Sequence, residues 1–193
     1  MIDKLDFRMP EHSSHLPRPA PPRFGLFLAI FSDADAVRLI GEHQVQLRQK
    51  LALTGKPRPL HHLHVTLDHL GNFSEIPELL ISSVRKMCDR DLHNIASFEV
   101  TFNHAKSFRG RPGNHPFVLT NPTGDEALLD FHRTLVRKPD FVPHVTLLYD
   151  RQLVPEQPVS PVSWRAQEIV LVLSHLGRTK YDQLGCWKLS DAS

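Results

Sequence analysis

At 193 residues, 40% of them hydrophobic, the chain has room for one domain or two small joined lobes and can bury a core without staples. A formal charge of +2 is too small to announce nucleic-acid binding, although 13 His residues add positive charge below neutral pH. Cys88 and Cys186 are the only cysteines, which excludes a disulfide framework and any Cys-rich zinc module and fits a reducing cytoplasm.

The amino terminus, Met1-Ile2-Asp3-Lys4-Leu5-Asp6, is charged and has no apolar signal-peptide core, and no later segment has the length of a membrane span. The expectation is a soluble cytoplasmic protein, monomeric and without membrane contacts. Residues 1–22 carry Pro10, Pro17, Pro19, Pro21 and Pro22 among polar residues and read as a flexible tail, with the folded domain over 23–190. Phe24 to Phe31 is a short apolar run that predicts a buried strand, followed by a helix capped at Ser32-Asp33. That helix places Val37, Ile40, Leu47 and Leu51 on one face, with Gly55 beyond its end. A strand follows at about 61–68. A second helix is signalled by Ser74, Pro77 and apolar Leu80, Val84 and Met87, and alternating Phe98, Val100 and Phe102 mark a third strand.

Arg109 to Asn114 is a dense turn signal, with His115 to Thr120 as the returning strand of a hairpin. Leu128, Phe131 and Leu135 give a third amphipathic helix, and another strand spans about 141–148. A loop containing Pro155, Pro158 and Pro161 then separates it from a final strand pair, about 164–174 and 181–189. This order, with no glycine-rich phosphate loop at a strand-to-helix junction, predicts α+β with antiparallel sheets rather than a dinucleotide-binding parallel sheet.

His64-Val65-Thr66-Leu67 recurs as His144-Val145-Thr146-Leu147, each copy within an apolar stretch. On a strand, His and Thr two residues apart project from one face while Val and Leu face the other. Imidazole can take or give a proton near neutral pH, and a Thr hydroxyl can donate a hydrogen bond to an anionic oxygen. Duplicated, the unit supplies a base, an acid and two oxyanion donors, and the 80-residue offset fits an internal duplication. His61, His62 and His69 invite a metal reading, but no Asp or Glu completes a recognisable ligand pattern and no metal site is assigned. Asp68 and Asp150 trail the two motifs and read as strand-end caps. Arg178 and Lys180, in the turn before Tyr181, are candidate phosphate or nucleobase contacts. Phe27 is a core residue or, if exposed, a stacking platform for a base.

Taken together, His64 to Leu67 with the flanking Leu60-His61-His62-Leu63 and Asp68-His69-Leu70-Gly71, and Pro143-His144-Val145-Thr146-Leu147, resemble the two-histidine (2H) phosphoesterase superfamily. Within it they resemble the LigT-like RNA 2′,3′-cyclic phosphodiesterases, or 2′-5′ RNA ligases. Phe27 to Ile30 and Tyr181 to Leu189 are weaker matches, and the likeness covers about residues 23–190. The resemblance implies a bilobal, pseudo-twofold fold around a central cleft and cofactor-free, metal-independent hydrolysis of an RNA or oligonucleotide 2′,3′-cyclic phosphate to a 2′-phosphate. It implies His144 as proton acceptor from water, His64 as proton donor to the 3′ oxygen, and Thr66 and Thr146 as phosphate ligands. Several relatives place an Arg five residues after the second His, where this chain has Tyr149, leaving the cation's role to Arg178 or Lys180 and making Tyr149 a candidate substrate contact. The alternatives are ligation, the same reaction reversed to form a 2′-5′ bond, and a noncatalytic module that binds RNA ends.

Overall fold

The computed structural model describes residues 20–138 and 140–191; residues 1–19 of the expected tail lie outside the described residues. Among the described residues there are eight strands: β1 (Phe24–Phe31), β2 (His64–Phe73), β3 (Phe98–Ser107), β4 (His115–Thr120), β5 (His144–Asp150), β6 (Gln157–Ala166), β7 (Glu168–His175) and β8 (Lys180–Lys188). Three helices accompany them: α1 (Ala34–Lys50), α2 (Glu78–Asp91) and α3 (Glu126–Leu135). All strand pairs are antiparallel. The order across the sheet is β6-β3-β4-β5-β2-β1-β7-β8, so the expected α+β class holds and the two lobes are halves of one sheet. At the seam β2 and β5 pair only through Val65 and Val145. Outward from it, each half repeats one plan, a motif strand beside the strand that precedes it by one helix: β1-α1-β2 on one side and β4-α3-β5 on the other.

Side-chain alternation sorts the sheet into two faces. Leu26, Leu28 and Ile30 of β1, Val65 and Leu67 of β2, and Val145 and Leu147 of β5 join the main core with the helices. Phe27, Ala29, Val170 and Val172 form a smaller cluster on the opposite face, with Phe31 and Tyr181 against it. Helix α1 starts as expected, the Asp33 carboxylate accepting the Ala36 N–H at 2.8 Å. Its inward face is Ala36, Ile40, Gln44 and Leu47, with Val37 and Leu51 only half-buried. Its end differs too, because Ala52 rather than Gly55 takes a left-handed conformation, φ 51°.

The helices cross the seam. Helix α1 packs on β5 and β6 of the other half, where Gln44 donates its Nε2 to the Leu147 carbonyl at 2.9 Å. Helix α3 reaches the other way, and His132 Nε2 donates to the Leu67 carbonyl at 3.0 Å. Leu67 and Leu147 are the last residues of the two repeats. Each motif strand, left largely unpaired at the seam, is therefore satisfied by a buried polar side chain from the opposite half's helix.

One expected connection is a strand. The segment from Pro155 to Pro161 reads as a loop in the sequence, but Gln157–Ala166 forms β6, which pairs with β3 and ends the sheet. An edge strand tolerates Pro158 and Pro161 because the missing N–H groups leave no inner partner unmet, and the register slips between Phe102 and His104 to accommodate them. The expected strand at 164–174 is thus the end of β6 plus β7. No helix among the described residues is long and apolar enough to cross a membrane.

Candidate active site

The two motifs meet. Continued one residue either side of the Val65–Val145 pair, an antiparallel register sets His64 against Thr146 and Thr66 against His144. Val65, Leu67, Val145 and Leu147 are buried beneath, while both His and both Thr are half-buried on the opposite face. All four line one cleft of about 310 Å³.

The imidazoles are held in matched fashion. His64 Nδ1 bonds the His62 carbonyl at 2.7 Å and His144 Nδ1 bonds the Val142 carbonyl at 2.8 Å, in each case the residue two before. A carbonyl only accepts, so each Nδ1 carries the hydrogen and each neutral ring keeps its lone pair on Nε2. The Thr66 hydroxyl, 3.1 Å from His64 Nε2, donates to it. Phe27 stacks on His64 with ring centroids 5.0 Å apart, and Phe108 meets His144 edge-on at 5.0 Å.

Burial pushes His64 down to about 4; its bond to the His62 carbonyl opposes this, and positive charge on Arg58, His62 and His144 adds to the lowering. Burial also lowers His144, opposed by its bond to the Val142 carbonyl. Both rings are therefore neutral near pH 7.

Other expected contacts divide. Tyr149 is 43% exposed and lines the cleft. Phe27 also lines it, but at 6% exposure and stacked on His64 it is a wall for the imidazole, and the platform role gives way to that one. Arg178 and Lys180 are not among the cleft-lining residues: Arg178 sits on the exposed turn, and Lys180 pairs with Asp182 at 3.0 Å beside a neighbouring cavity. Asp150 does cap, its carboxylate accepting the N–H groups of Thr54 and Gly55 at 2.7 Å each. Asp68 lies inside β2 and pairs with Lys138 at 2.5 Å. Among the described residues no group of three or more His, Cys, Asp or Glu is placed to hold a metal.

Sequence reasoning missed Arg58 and the full part of Tyr181. Arg58 lines the cleft, and its Nη2 donates to the Tyr181 hydroxyl at 2.8 Å. Tyr181 stacks on His62, centroids 3.8 Å apart, and stands edge-on to Phe27 and His64. The available signal was Pro57-Arg58-Pro59, a cation held in extended backbone six residues before the first motif His.

A duplicated strand pair bringing two tautomer-fixed imidazoles and two hydroxyls to one cleft defines a paired-histidine site, the architecture of LigT-like two-histidine phosphoesterases. Residues 32–178 match the model of the 2′-5′ RNA ligase superfamily, and the chain belongs to that family. TT0787 of Thermus thermophilus is similar in structure, with TM-score 0.69 and 25% identity over 88% of this chain and 100% of that one. E. coli LigT in apo form gives 0.67 and 25% over 89% and 100%, and LigT complexed with NADP+ gives 0.64 and 25% over 88% and 99%. A comparison with curated proteins finds no match.

Proposed function

We propose that the protein hydrolyses a 2′,3′-cyclic phosphate at an RNA or oligonucleotide end to a 2′-phosphate. The observation that carries this is the matched anchoring of His64 and His144, which leaves two Nε2 atoms for proton transfer at one cleft. His144 Nε2 takes a proton from water as its oxygen attacks phosphorus. The bond from phosphorus to the 3′ oxygen breaks, and protonated His64 gives that oxygen its proton. Thr66 and Thr146 donate to the non-bridging oxygens as charge develops there. Thr66, whose hydroxyl donates to His64 Nε2, turns from the imidazole to the phosphate as that nitrogen takes up its proton. The anionic phosphate favours the imidazolium that burial disfavours, so substrate itself equips His64 as an acid. No step calls for a metal.

The LigT complex with NADP+ supports a nucleotide ligand for this cleft. The family match also favours the reverse reading, in which a 5′-hydroxyl replaces water and a 2′-5′ bond forms. Hydrolysis is the stronger reading because water is the abundant acceptor. The test is turnover of a 2′,3′-cyclic dinucleotide in EDTA by wild type and by His64→Ala and His144→Ala. Turnover in wild type alone supports the reading; tight binding without turnover makes the protein a noncatalytic RNA-end module, and dependence on added metal removes the metal-free mechanism.

A further inference from the structure

We propose that Arg58 is the phosphate-binding cation of this cleft, its guanidinium donating to the non-bridging oxygens beside Thr66 and Thr146. This rests on the reading above only for what the phosphate is attached to.

Arg58 is half-buried, and among the described residues no carboxylate oxygen lies within 4.0 Å of it. Its assigned side-chain partner is the neutral Tyr181 hydroxyl, and no Asp or Glu lines the cleft. A guanidinium has five N–H donors in a planar fork matched to two oxygens of one anion. With one donor on Tyr181, the rest are free for an anion, and a partly desolvated cation without a counter-ion is stabilised by one.

The mount is rigid. The Arg58 N–H donates to the Leu147 carbonyl at 2.7 Å, and the Arg58 carbonyl accepts from Gln44 Nε2 at 3.2 Å. Pro57 is bridged to Leu148, and Pro57 and Pro59 stiffen the chain on both sides. A loop between α1 and β2 is thereby fixed to the other half's motif strand, so its cation is referenced to both arms of the site. Tyr181, braced by His62 and Phe27, then aims the head group.

Arg58 also sets the charge around His64. The groups facing that ring are His62 from the turn before β2, His144 from β5, Tyr181 from β8 and Arg58, while Phe27 and Phe31 from β1 add no charge. Neutralising Arg58, whether by substitution or by a bound phosphate, removes one of the influences that hold His64 down.

The test uses the full chain and inorganic phosphate, with imidazole NMR signals read against phosphate concentration and pH. Wild type should bind phosphate with perturbation at His64 and His144, and His64 should titrate higher when it is bound. Arg58→Gln should weaken binding about 10- to 100-fold and raise the His64 titration in the free protein. Arg58→Lys should keep part of the affinity, as a point charge without the fork. Tyr149→Arg placed on Arg58→Gln should restore binding from the same cleft. Lys56→Gln, which removes one charge two residues away, should change neither quantity. If Arg58→Gln fails to fold, Arg58→Lys, which keeps the charge and loses the fork, decides through the same two readouts. Equal phosphate affinity and equal His64 titration in folded Arg58 variants overturn the assignment. Loss of phosphate binding in Arg58→Gln, with no cyclic-dinucleotide turnover in wild type, sinks the hydrolase reading and leaves Arg58 standing.

Discussion

His64 and His144 share a chemistry but not a setting. His64 is stacked on Phe27, bonded to Thr66 and faced by Arg58; His144 has an aromatic edge beside it and a Thr whose hydroxyl is not tied to it. Removing either imidazole, as His64→Ala or His144→Ala, should cut cyclic-phosphate turnover about 10²–10⁴-fold, the ordinary worth of a positioned acid or base. Thr66→Ala and Thr146→Ala should each cost less, since on the proposed mechanism each is one of several donors to the phosphate. Steady-state rates on a cyclic dinucleotide check both, and full activity in a His variant excludes that residue from the mechanism. The pH profile follows from needing one neutral and one charged ring. Because both values lie below 6.5 in the free protein, kcat/KM should be bell-shaped with its optimum on the acid side of 6.5. Phosphate in the complex raises the imidazoles, so the kcat optimum should sit at higher pH than that of kcat/KM. A profile falling on one side only would count against the paired mechanism.

Gln44 and His132, each almost wholly buried, carry the positioning of the motif strands across the seam. Gln44→Leu removes the side-chain donor from the Leu147 and Arg58 carbonyls while the Arg58 N–H still holds Leu147, and should cost about 1 kcal/mol, seen as a lower denaturation midpoint together with reduced kcat. Gly55 is pressed against the same strand: a Cβ there would stand 2.0 Å from the Tyr149 carbonyl oxygen. Gly55→Ala should therefore displace the 53–58 loop and weaken phosphate binding through Arg58, measurable by the same NMR titration. This bracing is also where sequence reading stops. Strand alternation in both repeats, the Asp33 cap and the Arg109–Asn114 turn are local patterns, and β1, β4 and the faces of the motif strands follow from them. Gln44 looks like an ordinary helix surface residue and His132 like a polar neighbour of Phe131, because their partners lie 103 and 65 residues away. Arg58 escapes for the same reason, and β6 because prolines signal a loop unless the strand is known to lie at an edge.

Across the whole molecule the buried imidazoles make stability depend on pH. His62 and His64 are both held at about 4, against 6.5 when exposed to water. Between those values the unfolded chain binds protons that the folded one does not, so stability rises with pH and is lost as pH falls from 6.5 toward 4. His62→Phe, which keeps a ring on Tyr181 without a titrating group, should flatten that loss in urea midpoints measured at pH 7 and pH 5; an unchanged slope would exclude His62 as a contributor. The strand order has a separate result for how the protein comes off the ribosome. The half made of β3 to β6 is one continuous stretch, but the half containing β1 and β2 needs β7 and β8 from the far end of the chain. During synthesis from the amino terminus, the His144 half has all its strands while one edge of β1 and its Phe27–Ala29 face still wait for β7. Nascent or prematurely terminated chains ending before Glu168 thus carry both histidines yet leave the β1 edge without β7 and Phe27 without Val170, Val172 and Tyr181, the kind of unpaired hydrophobic edge that chaperones hold and that aggregates when they do not.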